Sequence, residues 1–411
     1  MNLEGERPKH DALLLGLGSP WEVQTVARKL QEKKVEMERG WPWGAAARCP
    51  EGGRACSLHD GAPERTWRHR DPMPFTTVPR ARTPRAQCPE HGVKTMAVPW
   101  AAPPGRCTLL FERLAVEVLR ASGSVRQGCA LMGLGWESAP AIMRRAVARG
   151  REQRPLEGLQ HLGMEEKSFK RGQSSRTLRT DWDQSRVRDV VEERTSQAAD
   201  PLWATRPPEQ KQAVEAVAVD LWAPFIQTMA KPGPGADLVQ DQFHVSQDLG
   251  AAVDKVRRAE PKALMAQGDA TRKGPRQRGL YHPQNFSPEP APAFCARQDL
   301  PLKVARAWAA KELFAKFWAD PSEGWAQRFF PDGFGWVSRR RLQPVIELAR
   351  MRKRHPDHLL TYLRHPMTNA VTEGLHSKSQ SVKAAARGFR SFRHYRIRIL
   401  FFCGKLNLYP L

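Results

Sequence analysis

Hydrophobic spacing changes period several times along this chain. The opening apolar segment HDALLLGLGSPWEV runs into a charged stretch, VARKLQEKKVEMERG, that fits a strand or a helix. Between Thr108 and Arg151 apolar residues recur at helical spacing in TLLFERLAVEVLRAS, SVRQGCALMG and WESAPAIMRRAVARGRE, with short glycine-containing joints. Three helices are predicted, in helix-turn-helix order over 106–152, with Ser124 capping the second. Pro140 lies early enough in the third helix to be tolerated. Beyond a Gln/Arg-rich joint the period shortens to two. HLGMEEKSFKRG and TLRTDWDQSRVRDVVEER read as strands, PPEQKQAVEAVAVDLWAPF as a helix and then a strand, and ADLVQDQFHV as another short strand. Helical spacing then returns from QFHVSQDLGAAVDKVRRAEPKALMA to Arg354, around a basic Pro/Gly loop at 268–290. A last helix is predicted within His365–Gly388, capped by Thr368 or Asn369 and stopped at Gly388. Strands followed by helices predict a mixed α/β core over 160–411 with an α-helical insertion at about 250–360.

Composition adds the partner. The 411 residues carry 66 Lys+Arg against 43 Asp+Glu, a formal net charge of +23, so a polyanion is expected and nucleic acid fits best. No apolar run approaches the roughly 20 residues of a spanning helix, and no N-terminal signal pattern precedes the charges. A soluble, cytoplasmic, nucleoid-associated protein is expected. Seven cysteines, four of them between Cys49 and Cys107, suit a reducing compartment and metal ligation. Residues 1–45 form one predicted segment. Residues 46–100, with RCPEGGRACSLHDGAPERTWRHRDPMPF and RARTPRAQCPEHGVKTMAVPW, form a small zinc-binding-like module. CPEGG and CPEHG both look like knuckle turns, so Cys49, Cys88 and His91 are the first ligands to consider, with Cys56 and His59 in reserve. A regular knuckle would carry a second cysteine where Gly52 stands. A cysteine-containing core without zinc is the competing reading.

On the final helix Asn369, Glu373, His376, Ser377 and Gln380 share a polar stripe, flanked by Lys378, Lys383 and Arg387. Glu373 alone reads as a surface acid among cations. Upstream, however, the first strand carries Glu165 and Glu166 and a later strand ends at Asp220. Carboxylates gathered from strand ends and a helix can hold two Mg²⁺ or Mn²⁺ ions about 4 Å apart, the arrangement used for phosphoryl transfer. Strand-terminal acids are common, so spacing alone does not decide it. The third helix presents Arg144, Arg145, Arg149 and Arg151, and phosphate contacts are expected from Arg144, Arg145 and Arg149, from Lys273, Arg276 and Arg278 in the basic loop, and from Lys378 and Lys383. Trp308, Trp318, Trp325 and Trp336, at their spacing, belong to a helical core rather than to base stacking.

These blocks together resemble a family. CPEHG with PW, the three-helix segment, GMEEKSF, VDLW, DQFHV, LKVARAWAAKE, ELARMRKRH, HPMTNAVTEGLHS, ARGF and LNLYP resemble, in order and almost end to end, the DDE transposases of the ISL-three group of bacterial insertion sequences. The resemblance implies a zinc-binding segment and helix-turn-helix that recognise terminal inverted repeats, followed by an RNase H-like catalytic domain with an α-helical insertion. It implies double-stranded DNA as partner and a homo-oligomer on that DNA. It also implies metal-dependent cleavage and strand transfer with two Mg²⁺ or Mn²⁺ ions. Glu165 stands where the family has its first catalytic Asp, and Glu373 matches the third acid. Asp220 is assigned as the second, with Asp241 as its rival. His244, in an acid-x-x-His pattern with Asp241, supports the site or serves packing. His376 takes a position where the family usually has Asn. Glu166, the strand neighbour of Glu165, should face the other way. Glu165 in place of Asp, and Gly52 in place of Cys, raise a second reading: a decayed copy that only binds DNA. A third is an RNase H-like nuclease or resolvase that does not transpose.

Overall fold

The computed structural model describes residues 20–42, 44–72, 74–155, 158–170, 174–191, 213–219, 236–240, 242–266, 303–319, 322–353, 357–367 and 370–410. They fall into two compact units, one of residues 1–155 with 381–411 and the other of residues 156–380.

In the first unit the charged stretch near the N-terminus is a hairpin, β1 (Glu22–Lys29) and β2 (Lys34–Gly40), turning through Lys33 at φ 48°. Its inward positions Val35 and Arg39 alternate with Glu36 and Glu38, and Lys29 and Lys34 both pair with Glu36. The alternation and the cross-strand Lys29–Glu36 ion pair favour strand over helix. β3 (Ala47–Arg48), β4 (Ala55–Gly61), β5 (Arg65–Thr66), β6 (Thr76–Ala81), β7 (Pro84–Cys88) and β8 (Gly92–Thr95) complete two four-stranded sheets, ordered β1-β2-β6-β5 and β3-β4-β7-β8. Because β6 lies parallel beside β2, the segments on either side of the boundary expected at 45/46 share one sheet. Trp21, Trp41, Trp67 and Trp100 lock this region edge to face, with neighbouring ring centroids 4.7–5.5 Å apart. The Arg39 guanidinium is 2% exposed and lies 4.2 Å over Trp100; burial pushes its pKa down to about 9.

The three helices follow as expected: α1 (Leu109–Ala121), α2 (Val125–Leu131) and α3 (Ser138–Glu152). Thr108 accepts from the Phe111 amide and Ser124 from the Gln127 amide, so each of the first two helices has a side-chain cap. Pro140 falls in the first turn of α3, where its missing N–H is not needed.

The second unit is built on one sheet. β9 (His161–Lys170), β10 (Ser174–Asp181) and β11 (Arg186–Val191) are an antiparallel meander, turning through Ser185 at φ 47°. β12 (Ala216–Val219) joins β9 in parallel and β13 (Asp237–Gln240) joins β12 in parallel, giving the order β11-β10-β9-β12-β13. Leu162, Met164, Leu178, Val187, Ala216, Val217 and Val239 bury its core. Helices α4 (Gln242–Ala266), α5 (Lys303–Ala319), α6 (Glu323–Arg339) and α7 (Gln343–Lys353) make the expected helical body. Its core includes Val245, Leu249, Val253, Ala307, Phe317 and Val345, with Trp325 and Trp336 packed against it; Trp308 is buried. The Trp318 side chain is outside the described residues.

α8 (Asp357–Arg364) returns to the sheet, where the Thr361 hydroxyl donates to the Leu238 carbonyl at 2.5 Å and Tyr362 packs with Ala216, Ala218 and Val239. α9 (Ala370–Ala385) carries Glu373 and ends three residues before Gly388, whose φ of 111° suits a residue without Cβ. Its expected caps, Thr368 and Asn369, lie outside the described residues. α10 (Phe392–Cys403), capped by Ser391, belongs to the first unit and packs on α3. The segment after α10 also comes close to α3 at Gly150, where a Cβ would sit 2.7 Å from Leu406 Cβ and 2.8 Å from the Asn407 carbonyl.

Candidate functional site

Two turns bring thiols and an imidazole together in the first unit. Cys49 follows the short β3 strand and its Sγ accepts from the Gly52 amide at 3.5 Å. Cys88 ends β7, and backbone amides of His91 and Glu90 pointing at its sulfur hold that thiol below its ordinary range. His91 Nδ1 lies 3.6 Å from Cys49 Sγ and 3.4 Å from Cys88 Sγ, and one ligand atom from each of the three residues falls within 4.8 Å of the others. Cys56 is their neighbour on β4, its thiol pushed up by partial desolvation and by Cys88 and Cys49. His59 instead pairs with Asp60 at 3.2 Å. A Cβ built on Gly52 would stand 3.1 Å from His91 Cε1 and 3.6 Å from its Nδ1, so a side chain at position 52 would enter this group. Two thiols and an imidazole are the donor types that suit zinc.

The arginines of α3 divide. Arg144 is exposed. Arg145 reaches back to Glu112 on α1, and Arg149 bonds both Glu112, at 3.5 Å, and the Leu408 carbonyl, at 2.8 Å. Glu112 is 1% exposed, on the same helix face as Phe111, Ala115 and Leu119. Arg145 and Arg149 therefore brace the three-helix domain from within, a role that counting arginines on α3 did not reveal. The signal was present upstream, as an acid within the apolar stripe of α1. Arg151 is exposed at the end of α3, and Lys378 is exposed on α9, where Lys383 is half-buried. Lys273, Arg276 and Arg278 lie outside the described residues.

The carboxylate-bearing elements are placed by their backbone. Glu165 is in β9, the central strand of the sheet, opposite Leu178 of β10. On its other side β12 runs parallel, with Ala218 opposite Gly163 and Val219 opposite Met164. The close approach of β10 to β9 requires Gly163, because a Cβ there would collide with Thr180 Oγ1 and come within 3.0 Å of Trp182 Nε1. Thr180 also donates to the Gly163 carbonyl at 3.2 Å. Asp220 and Asp241 lie outside the described residues, as do the side chains of Glu165, Glu166, His244 and Glu373.

A helix-turn-helix domain followed in the sequence by a mixed sheet, in a chain of charge +23, defines a class of DNA-acting proteins. Comparison with known proteins supplies the particular family. A family described as transposase, the DDE domain of group ISL3, matches residues 162–399, more than half of the chain. The helix-turn-helix domain of transposase family ISL3 matches residues 96–147. The chain belongs to this transposase family. It is 26% identical over 371 residues to the transposase for insertion sequence element IS1557 of Mycobacterium tuberculosis, covering 84% of this chain and 83% of that protein. It is 22% identical over 327 residues to the transposase for insertion sequence element IS1001 of Bordetella parapertussis, covering 78% of this chain and 79% of that protein. Membership brings DNA as the partner, transposition as the process and a dependence on divalent metal. No described helix is long and apolar enough to cross a membrane.

Proposed function

We propose that this chain binds the terminal inverted repeats of an insertion sequence and carries out metal-dependent DNA strand cleavage and strand transfer, in the cytoplasm and as a homo-oligomer on DNA. Its catalytic carboxylates are Glu165, Asp220 and Glu373, on an RNase H-like core. The observation that carries this reading is the parallel register of β12 on β9. Val219 lies opposite Met164, and the residue that follows each of them in the sequence is an acid, Asp220 and Glu165. Three antiparallel strands continued by two parallel ones, followed by a helix bearing Glu373, support the RNase H-like assignment.

Carboxylate oxygens are hard donors and suit Mg²⁺ or Mn²⁺. Two such ions supply an activated hydroxyl nucleophile and neutralise charge on the leaving oxygen. In this reading Glu165 comes from β9, Asp220 from the residue after its neighbour β12, and Glu373 from α9. Asp241 is the rival second acid, with His244 in support. Arg144 and Lys378, both exposed, are the best-placed described cations for the DNA backbone; Lys273, Arg276, Arg278 and Lys383 join them on charge and position. Cys49, Cys88 and His91 hold zinc, with Cys56 as the nearest further thiol and Gly52 marking the vacant cysteine position.

Glu165 favours one second reading, a copy whose catalysis has decayed while end binding persists. Its added methylene displaces the carboxylate by about 1 Å, and errors of that size cost roughly a hundredfold in rate. The test is Mn²⁺-dependent cleavage of labelled DNA carrying the element's own ends. Cleavage by the native chain that disappears in Glu373→Ala supports an active transposase, and Glu165→Asp should then be faster. Cleavage only in Glu165→Asp supports the decayed copy. End binding without cleavage by any of these chains would overturn the catalytic reading.

A further inference from the structure

We propose that His161, Glu215 and His365 form a binding site for a transition-metal ion of the Zn²⁺ class, separate from both the thiol group and the catalytic carboxylates. The three residues come from different elements at one end of the sheet. His161 opens β9, Glu215 immediately precedes β12, and His365 follows α8. Strand pairing fixes two of them: Ala216 is opposite His161, the Glu215 amide donates to the Gln160 carbonyl at 2.9 Å, and the Asp237 amide donates to the Glu215 carbonyl at 2.7 Å. The third is fixed by α8, where the His365 amide donates to the Thr361 carbonyl at 2.9 Å and Thr361 is itself tied to Leu238. One ring nitrogen from each histidine and one Glu215 oxygen lie within 4.8 Å of one another, and the two rings are 5.7 Å apart. Ligand atoms about 2.0–2.1 Å from a tetrahedral ion stand roughly 3.4 Å apart, so small side-chain rotations close the site.

The surroundings distinguish this group from a chance meeting of polar side chains. Metal-bound histidines characteristically give their other ring nitrogen to a carboxylate, which sets the tautomer and the ring plane. Both histidines here have that partner. Asp183 lies 2.8 Å from His161 Nδ1 and also accepts from the His161 backbone amide at 3.1 Å, leaving Nε2 for an ion. Asp237 lies 3.2 Å from His365 Nε2 and is steadied by Arg364 at 3.0 Å, leaving Nδ1. In a chain of charge +23, the carboxylates of Glu215, Asp183 and Asp237 against Arg364 make a locally anionic spot. Two imidazoles and one carboxylate suit Zn²⁺, Co²⁺ or Ni²⁺ rather than Mg²⁺.

His161 and Glu165 are four residues apart on an extended strand, about 13 Å, so this ion would not be one of the catalytic pair. Its effect is mechanical. It clamps the end of α8 to β9 and β12, and α9, which bears Glu373, begins five residues after His365. The test is Zn²⁺ and Co²⁺ titration of the full chain by calorimetry and visible absorption, with the apo melting profile as folding control. Glu215 is exposed, so Glu215→Gln should melt like the native apo chain while binding the ion at least tenfold more weakly. His365→Gln should lose one metal equivalent per chain, and the Co²⁺ bound at this site should lack sulfur charge-transfer absorption. Cys88→Ser should leave this equivalent in place. Unchanged stoichiometry and affinity in Glu215→Gln and His365→Gln, or release of the ion by excess Mg²⁺, would overturn the assignment.

Discussion

His69 is a neutral imidazole held where a charge is costly. It is 8% exposed, its Nδ1 lies 2.8 Å from Thr108 Oγ1, and burial, aided by Arg39, Arg70 and Arg68, pushes its pKa down to about 4. The unfolded chain, with a pKa near 6.5, therefore binds a proton between pH 6.5 and 4 that the folded chain refuses. Stability from this residue is complete above pH 6.5 and falls as pH drops through that window, by about 3 kcal/mol at most. Urea midpoints should be flat above pH 7 and decline between pH 6.5 and 5, above the carboxylate range. In His69→Asn that decline should vanish; an equal slope in both proteins would show that the buried imidazole is not its source. Gly163 sets a different single-residue limit. A methyl group there meets Thr180 and Trp182 on the neighbouring strand, so Gly163→Ala should cost about 1–3 kcal/mol in a thermal melt.

At the scale of elements, the helix-turn-helix shows what a sequence displays and what it conceals. Capping by Ser124, the early Pro140 and the helical spacing of apolar residues are local signals, and the three helices lie where those signals put them. The division of labour among the α3 arginines is not local. Arg144, Arg145 and Arg149 look alike in composition and differ only because Glu112 lies 33 residues before one and 37 before another. The same holds for the N-terminal sheets. β6 pairs with β2 across a long intervening segment, and strands as short as Ala47–Arg48 give no periodic signal. In the site, the knuckle turns were legible because both ends of each turn are close in sequence, whereas His161, Glu215 and His365 meet only after three elements assemble. Glu112 offers the direct test. Removing a buried charge that holds two cations costs about 3–5 kcal/mol, so Glu112→Gln should lower the thermal midpoint substantially. Arg144→Ala should stay within about 0.5 kcal/mol of the native chain. Similar losses from both would deny Glu112 its bracing role.

For the whole molecule, the excess of 23 positive charges is meaningful only through the residues free to meet phosphate. Many arginines are committed internally: Arg145 and Arg149 to Glu112, Arg186 to Asp181, Arg364 to Asp237, Arg85 to Asp60. Net charge therefore overstates the number of DNA contacts, and the salt dependence of binding measures the true one. Each neutralised phosphate contributes about −0.9 to the slope of log affinity against log salt. Arg144→Ala and Lys378→Ala should each reduce the slope for end DNA by roughly that amount without altering the melting profile. Arg145→Ala should do the reverse, lowering the melting midpoint while leaving the slope of the surviving folded protein unchanged. A slope that responds to Arg145 and not to Arg144 would place the DNA on the opposite side of α3 from the one its exposed arginine marks.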